Sequence, residues 1–117
     1  RCRPDLQSYD PNRLLIRHIK EILDHNACNP QKLQEVLRQI PMTSHHFNQL
    51  FKDHYGQTPH AYVLNRRLEK AASMLKTSSQ SVLDIAMAAG FGSISSFYAS
   101  FRRVYGVSPA RYRELNL

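Results

Sequence analysis

Apolar side chains recur along this chain three and four residues apart, the period of one face of an α-helix, and no segment reads as a strand. Leu14, Leu15, Ile19, Ile22 and Leu23 predict a first helix over residues 11–25, with Asp10 as capping side chain and Pro11 at the first helical position. Asn29-Pro30 repeats that start signal. Leu33, Val36 and Leu37 carry the next stripe, and Pro41 stops it. Thr43 caps a third helix whose buried face is Phe47, Leu50, Phe51 and Tyr55, and Gly56 suits its left-handed end. Thr58-Pro59 opens a long helix over residues 58–76, with Tyr62, Val63, Leu68, Ala71, Ala72 and Leu75 as its apolar positions. Beyond a polar break at 77–80, Ser81 caps a helix bearing Val82, Leu83, Ile85, Ala86 and Ala89. Gly90-Phe91-Gly92 turns the chain, and Ser93 caps a helix with Phe97, Phe101, Val104 and Tyr105. Gly106 ends it, and Ser108-Pro109 begins a last helix over 108–117. The expected fold is all-α, with about seven helices. All six prolines fall in the N-terminal tail or at helix ends, where a missing N–H costs nothing.

The pattern also repeats. Residues 51–62 match residues 101–112 without a gap, sharing Phe, Tyr, Gly, Thr or Ser, Pro and Tyr at an offset of fifty. The same offset pairs Phe47 with Phe97, Thr43 with Ser93, Leu33 with Leu83 and Val36 with Ala86. Two copies are too few for a stacked solenoid, which needs at least about three. Each copy is a short helix, a tight turn and a helix of about twelve residues, the helix-turn-helix plan. In the second copy Ala86 permits close helix approach and Gly90 permits a positive φ in the turn. Val36 and Ile40 stand there in the first copy, so its turn must differ, with Pro41 setting it. The expected layout is a tail or linker over residues 1–10 and a DNA-binding domain over 11–117. Within that domain the first unit spans about 30–56, the connector about 58–76 and the second unit about 81–106.

Such units place their second helix in the DNA major groove. With Phe47, Leu50 and Phe51 turned inward, the opposite face of the first reading helix holds Ser44, His45, Asn48, Gln49 and Lys52. Gln and Asn can pair bidentately with adenine, and His can donate to guanine or a phosphate. The equivalent face of the second is Ile94, Ser95, Tyr98, Ala99 and Arg102, where Ile94 and Ala99 suit thymine methyls. A connector of this length spans about 28 Å, against about 34 Å for one DNA turn. One chain can therefore set two helices in successive major grooves and read an asymmetric site.

Composition agrees and narrows the classes. At 42% hydrophobic, 117 residues bury a real core, and no apolar run is long enough to cross a membrane. The net charge of +7 points to a polyanion, nucleic acid or an anionic membrane surface. The charge is uneven: +2 over residues 1–60 and +5 from Ala61 onward, with Arg102 and Arg103 on the second reading helix. The second unit is therefore expected to lean on phosphates and DNA shape, the first on base edges. Enzymatic chemistry finds no support. His18, His25, His45, His46, His54 and His60 form no HExxH pair and no Cys/His cluster. Every Asp and Glu is expected at an exposed or capping position, so neither a metal, a cofactor nor a catalytic residue is expected. Cys2 and Cys28 match no zinc spacing; reduced thiols are the expectation, a single disulfide the alternative. A helical protein-interaction module is the remaining rival, and salt-dependent duplex binding separates it from a DNA reader.

Ile85-Ala86, Gly90-Phe91, Phe97, Phe101-Arg102, Gly106, Ser108-Pro109 and Tyr112-Arg113 together resemble the C-terminal signature of the AraC/XylS family of bacterial transcription regulators. Arg67-Leu68, Ala71 and Leu75 resemble its connector-helix pattern, and the resemblance covers residues 12–114. It implies seven helices with two helix-turn-helix units. By position it implies base reading by His45 and Gln49 in the first unit and by Ser95, Ser96 and Ala99 in the second. Ala99 stands where the family often carries a long polar or basic residue, Tyr98 is bulkier than usual, and Val36-Leu37 replaces a small residue. The resemblance further implies an upstream effector-binding or dimerisation domain, with residues 1–10 as linker and any small-molecule effector bound there. Activation through RNA polymerase, a monomeric DNA-binding domain and a cytoplasmic location at the nucleoid are the remaining expectations. A first residue other than Met fits a fragment of such a regulator.

Overall fold

The computed structural model describes residues 11–116. Every regular element among them is a helix: α1 (Pro11–Asn26), α2 (Pro30–Arg38), α3 (Ser44–Tyr55), α4 (Pro59–Thr77), α5 (Val82–Ala88), α6 (Ile94–Tyr105) and α7 (Pro109–Leu115). The Asp10 cap and Cys2 lie outside the described residues; Cys28 is a free thiol. The start signals work as local chemistry requires. The side-chain oxygens of Asn29, Thr43, Thr58, Ser81, Ser93 and Ser108 each accept an N–H three residues on, at 3.0–3.2 Å. Each such cap stabilises its helix by about 1 kcal/mol.

The repeat is carried into three dimensions. Residues 44–55 and 94–105, fifty apart, are α3 and α6 end to end. Both close on a left-handed glycine, Gly56 at φ 76° and Gly106 at φ 80°. Phe51 meets Tyr55 at 4.9 Å and Tyr62 at 5.5 Å between ring centroids. Phe101 meets Tyr105 at 4.4 Å and Tyr112 at 5.3 Å. The turns differ, as Ile40 in place of Gly90 requires: Gly90 takes φ 95°, whereas no residue other than glycine has a positive φ among the described residues.

Two separate cores result. Ile16, Ile19, Leu23, Ala27, Leu33, Phe47, Phe51 and Val63 form the first. Leu68, Ala71, Ala72, Leu75, Ile85, Ala86, Ala89, Phe91, Phe97 and Phe101 form the second. Helix α4 enters both, Val63 near its start in one and Leu68 to Leu75 in the other. It is the last helix of the first unit and the first helix of the second, which makes the molecule long, 56 × 32 × 21 Å.

Two contacts fix how the units sit. Arg67 of α4 donates from Nε to the Ala27 carbonyl at 2.6 Å. Gly90, in the second unit's turn, lies against the backbone of Cys28 in the first unit. A Cβ there would sit 2.9 Å from both the Cα and the carbonyl oxygen of Cys28. Opposite, Arg113 of α7 ties the loop after α4 by donating to the carbonyls of Leu75, Ser78 and Gln80 at 2.8–3.1 Å.

Some inward assignments from helical spacing do not hold. Leu14, Leu37, Leu83 and Val104 are 37–50% exposed, because a short helix in a small unit touches its core along one narrow line. Leu83 therefore does not repeat the buried role of Leu33, although the offset pairs them. Asp24 is not simply exposed. It is half-buried between α1 and α4, accepting from the Tyr62 hydroxyl and pairing with Lys20 at 3.3 Å and Arg66 at 3.1 Å. Helix α2 ends at Arg38 with Gln39 as its cap, so it stops before Pro41 is reached.

Candidate nucleic-acid interface

The site is built by turning two helices so that their aromatic stripes face inward. Phe47 and Phe51 are buried at 6% and 0% exposure, and Phe97 and Phe101 at 0%. With those anchored, a period of about 3.6 residues points Ser44, His45, Asn48, Gln49 and Lys52 of α3 outward, and all five are exposed. On α6, Ser95, Ser96, Ala99, Arg102 and Arg103 are exposed, while Ile94 and Tyr98 are half-buried on the flank. Tyr98 leans on Phe97, at 6.2 Å between ring centroids. It offers an edge to a ligand, where the other five offer open side chains.

On α3 one outward side chain is already held. Gln49 donates from Nε2 to Oδ1 of Asp53 at 3.0 Å, one turn along the helix. That contact uses one amide hydrogen and leaves Oε1 and the second amide hydrogen for another partner. At the position of α6 equivalent to Asp53 stands Arg103, so the two outer helix faces carry opposite charges there.

The cations divide by what they touch. Arg66 pairs with Asp24 and Glu69, Arg111 with Glu114, and Arg113 with loop carbonyls. Arg102 and Arg103 have no ion pair among the described residues, so two cations on the outer face of α6 are available to an anion. Partial burial pushes the Asp24 carboxyl up, but Tyr62, Lys20 and Arg66 outweigh it and hold it below the usual carboxylate range. It is committed to joining α1 to α4.

Two residues that periodicity did not nominate join the site. His60 and Arg67 of α4 line a cleft together with Ser96, Ser100 and Arg103 of α6. Their place depends on how the connector crosses the second unit, for which the local sequence carries no signal. No cluster of His, Cys, Asp and Glu fit to hold a metal ion occurs among the described residues. Among the described residues no helix is long and apolar enough to cross a membrane.

Residues 27–115 match the family described as helix-turn-helix domain. The chain belongs to the AraC/XylS family. Among curated relatives, the HTH-type transcriptional regulator ExsA of Pseudomonas aeruginosa is 37% identical over 101 residues, 84% of this chain and 36% of that protein. The xylose operon regulatory protein of Escherichia coli K12 is 32% identical over 92 residues, 79% of this chain and 24% of that protein. The chain thus spans about a third or less of the length of these relatives. Among solved structures, the DNA-binding domain of AdpA, a global transcriptional factor crystallised with a target DNA, superposes with a TM-score of 0.70 and 28% identity, covering 92% of this chain and 93% of that one. As an AraC/XylS helix-turn-helix domain, the chain is a DNA-binding part of a transcription regulator, and its outward helix faces are the surfaces to read chemically.

Proposed function

We propose that this domain binds double-stranded DNA with α3 and α6 in successive major grooves, and so regulates bacterial transcription. The observation that carries the reading is the doubled one: two helices in the same repeat register, each with a polar or cationic outer face, braced by one shared helix. In this reading Gln49 takes an adenine edge through Oε1 and its free amide hydrogen, and His45 reads the neighbouring pair. Ser44 and Asn48 flank them, and Lys52 takes a phosphate. On α6, Ala99 and Ile94 meet thymine methyls, Ser95 and Ser96 make permissive hydrogen bonds, and Tyr98 packs at the edge. Arg102 and Arg103 hold the backbone and supply most of that unit's affinity. The long axis of 56 Å exceeds one DNA turn, about 34 Å, which supports one copy covering an asymmetric site.

The larger protein is read as an activator in the cytoplasm, at the nucleoid, touching RNA polymerase, with any small-molecule effector bound by an upstream domain. An E. coli relative named a xylose operon regulatory protein and a Yersinia enterocolitica relative named a virulence regulon transcriptional activator support that reading. The direct test is fluorescence anisotropy of a labelled duplex across salt concentrations. Log affinity should fall linearly with log salt, and Arg102→Ala should weaken all sequences alike and reduce the slope by about 1. A protein-interaction module would show no such binding.

A further inference from the structure

The two units do not fill their turns alike. In the second, Phe91 is 5% exposed and packs on Phe97 at 5.1 Å between ring centroids. Fifty residues earlier the position is Pro41, which is exposed. Ile40 and Met42, on either side of Pro41, line a partly open cleft of about 250 Å³ in the first unit. Leu37, Phe47 and Val63 line it too, so its wall is mostly apolar and offers an aromatic partner, as Phe97 does in the second unit. An apolar cavity of about 150 Å³ takes up benzene, so this cleft has room for a single ring with a short substituent. Its lining also includes His60 and Arg67 and no acidic residue. Arg67 uses Nε on Ala27 and has no carboxylate partner among the described residues. Burial pushes its guanidinium below the ordinary value, so a carboxylate placed beside it would offset an uncompensated desolvation.

We infer that this cleft is a binding site for a small aromatic carboxylate, its ring against Phe47 as Phe91 lies against Phe97 in the second unit and its carboxylate on Arg67 and His60. Ser44 and Asn48 of α3 line the same cleft. A bound ring therefore bears on α3 at the edge of its outward face, within this domain and apart from any upstream effector site.

The probe is benzoate, with benzyl alcohol as its uncharged counterpart, followed by methyl and amide NMR on the 117-residue chain without DNA. The expected result is saturable shifts centred on Leu37, Met42 and Val63, with a Kd on the order of 1 mM, the range open to so small a ligand. Benzyl alcohol should bind at least about tenfold more weakly, lacking the charge-assisted hydrogen bonds. Arg67→Met should bring the two ligands to equal affinity with the spectrum otherwise folded. Met42→Phe, which fills the cleft from its rim, should abolish the shifts from both. Absence of saturation, shifts centred elsewhere, equal binding by the unaltered protein, or an Arg67→Met protein that still prefers benzoate would each overturn the assignment. None of these readouts depends on how α3 and α6 meet DNA, so they stand or fall apart from the DNA-reading proposal.

Discussion

Replacing Gly90 by alanine separates two costs that the structure places at one residue. The first is conformational. At φ 95° the backbone is in the region that L side chains avoid, and a non-glycine residue there costs about 1–2 kcal/mol. The second is steric. The added Cβ would meet the Cα and carbonyl oxygen of Cys28 at 2.9 Å. These are backbone atoms that move only if the loop between α1 and α2 moves, and overpacking of that kind adds about 1–3 kcal/mol. Gly106 supplies the control, since it has φ 80° with nothing within 4 Å of the added Cβ. Urea unfolding followed by circular dichroism should show Gly106→Ala losing only the conformational cost, about 1–2 kcal/mol. Gly90→Ala should lose about 2–5 kcal/mol. Because the clash lies between the units, Gly90→Ala should also weaken binding to a two-groove site more than to a half site. Equal losses for the two variants would refute the claim that Gly90 holds the second unit against the first.

Other expectations follow from single contacts. Gln49→Ala should relax preference at one or two base pairs and cost about 1–3 kcal/mol on the preferred site; competition assays with singly substituted duplexes check it, and an unchanged base profile refutes the role. Asp53→Ala should blunt the same base preference while raising affinity for all sequences, because the Gln49 amide loses its hydrogen-bond partner and a negative charge leaves the surface. Asp53→Asn, which keeps an acceptor, should restore the preference. The Asp24 carboxyl is held below its ordinary range. Its contribution is therefore complete above the unfolded carboxylate value near 3.9 and is lost as pH falls through the lower folded one, on the order of 1 kcal/mol for a partly buried group. Urea midpoints from pH 7 down to 3 should fall less steeply for Asp24→Asn than for the unaltered protein, and parallel curves would remove Asp24 from the account.

The helices were legible because their ends are local chemistry. Thr43, Thr58, Ser81, Ser93 and Ser108 cap through their own side chains, and Pro30, Pro59 and Pro109 begin helices wherever they occur. The doubling was legible because the Phe-Tyr-Gly-Pro-Tyr framework packs against itself within each unit. Periodicity separates an inner face from an outer one, which is why the exposed residues of α3 were nominated correctly as outward-facing. It does not say how wide the buried line is, so Leu37, Leu83 and Val104 were placed inside when they lie at the rim. What joins the units was not legible. The Arg67–Ala27 hydrogen bond, the contact of Gly90 with Cys28 and the Asp24 cluster bring together residues 38 to 62 positions apart. Each depends on how the shared connector crosses both cores. The same limit applies to charge. The eight basic residues after Ala61 look alike in sequence as candidate anchors, yet Arg66, Arg67, Arg111 and Arg113 are engaged within the protein.

The central claim is that one chain reads two successive major grooves with unequal helices. Selection of bound sequences from a random duplex library by the 117-residue chain tests it most directly. The account predicts an asymmetric motif of two patches whose centres lie about 10–10.5 base pairs apart. The sharper patch should lose information in Gln49→Ala, and the weaker should follow DNA shape more than base identity. A palindromic motif, a single patch, or no enrichment over the starting library would contradict it.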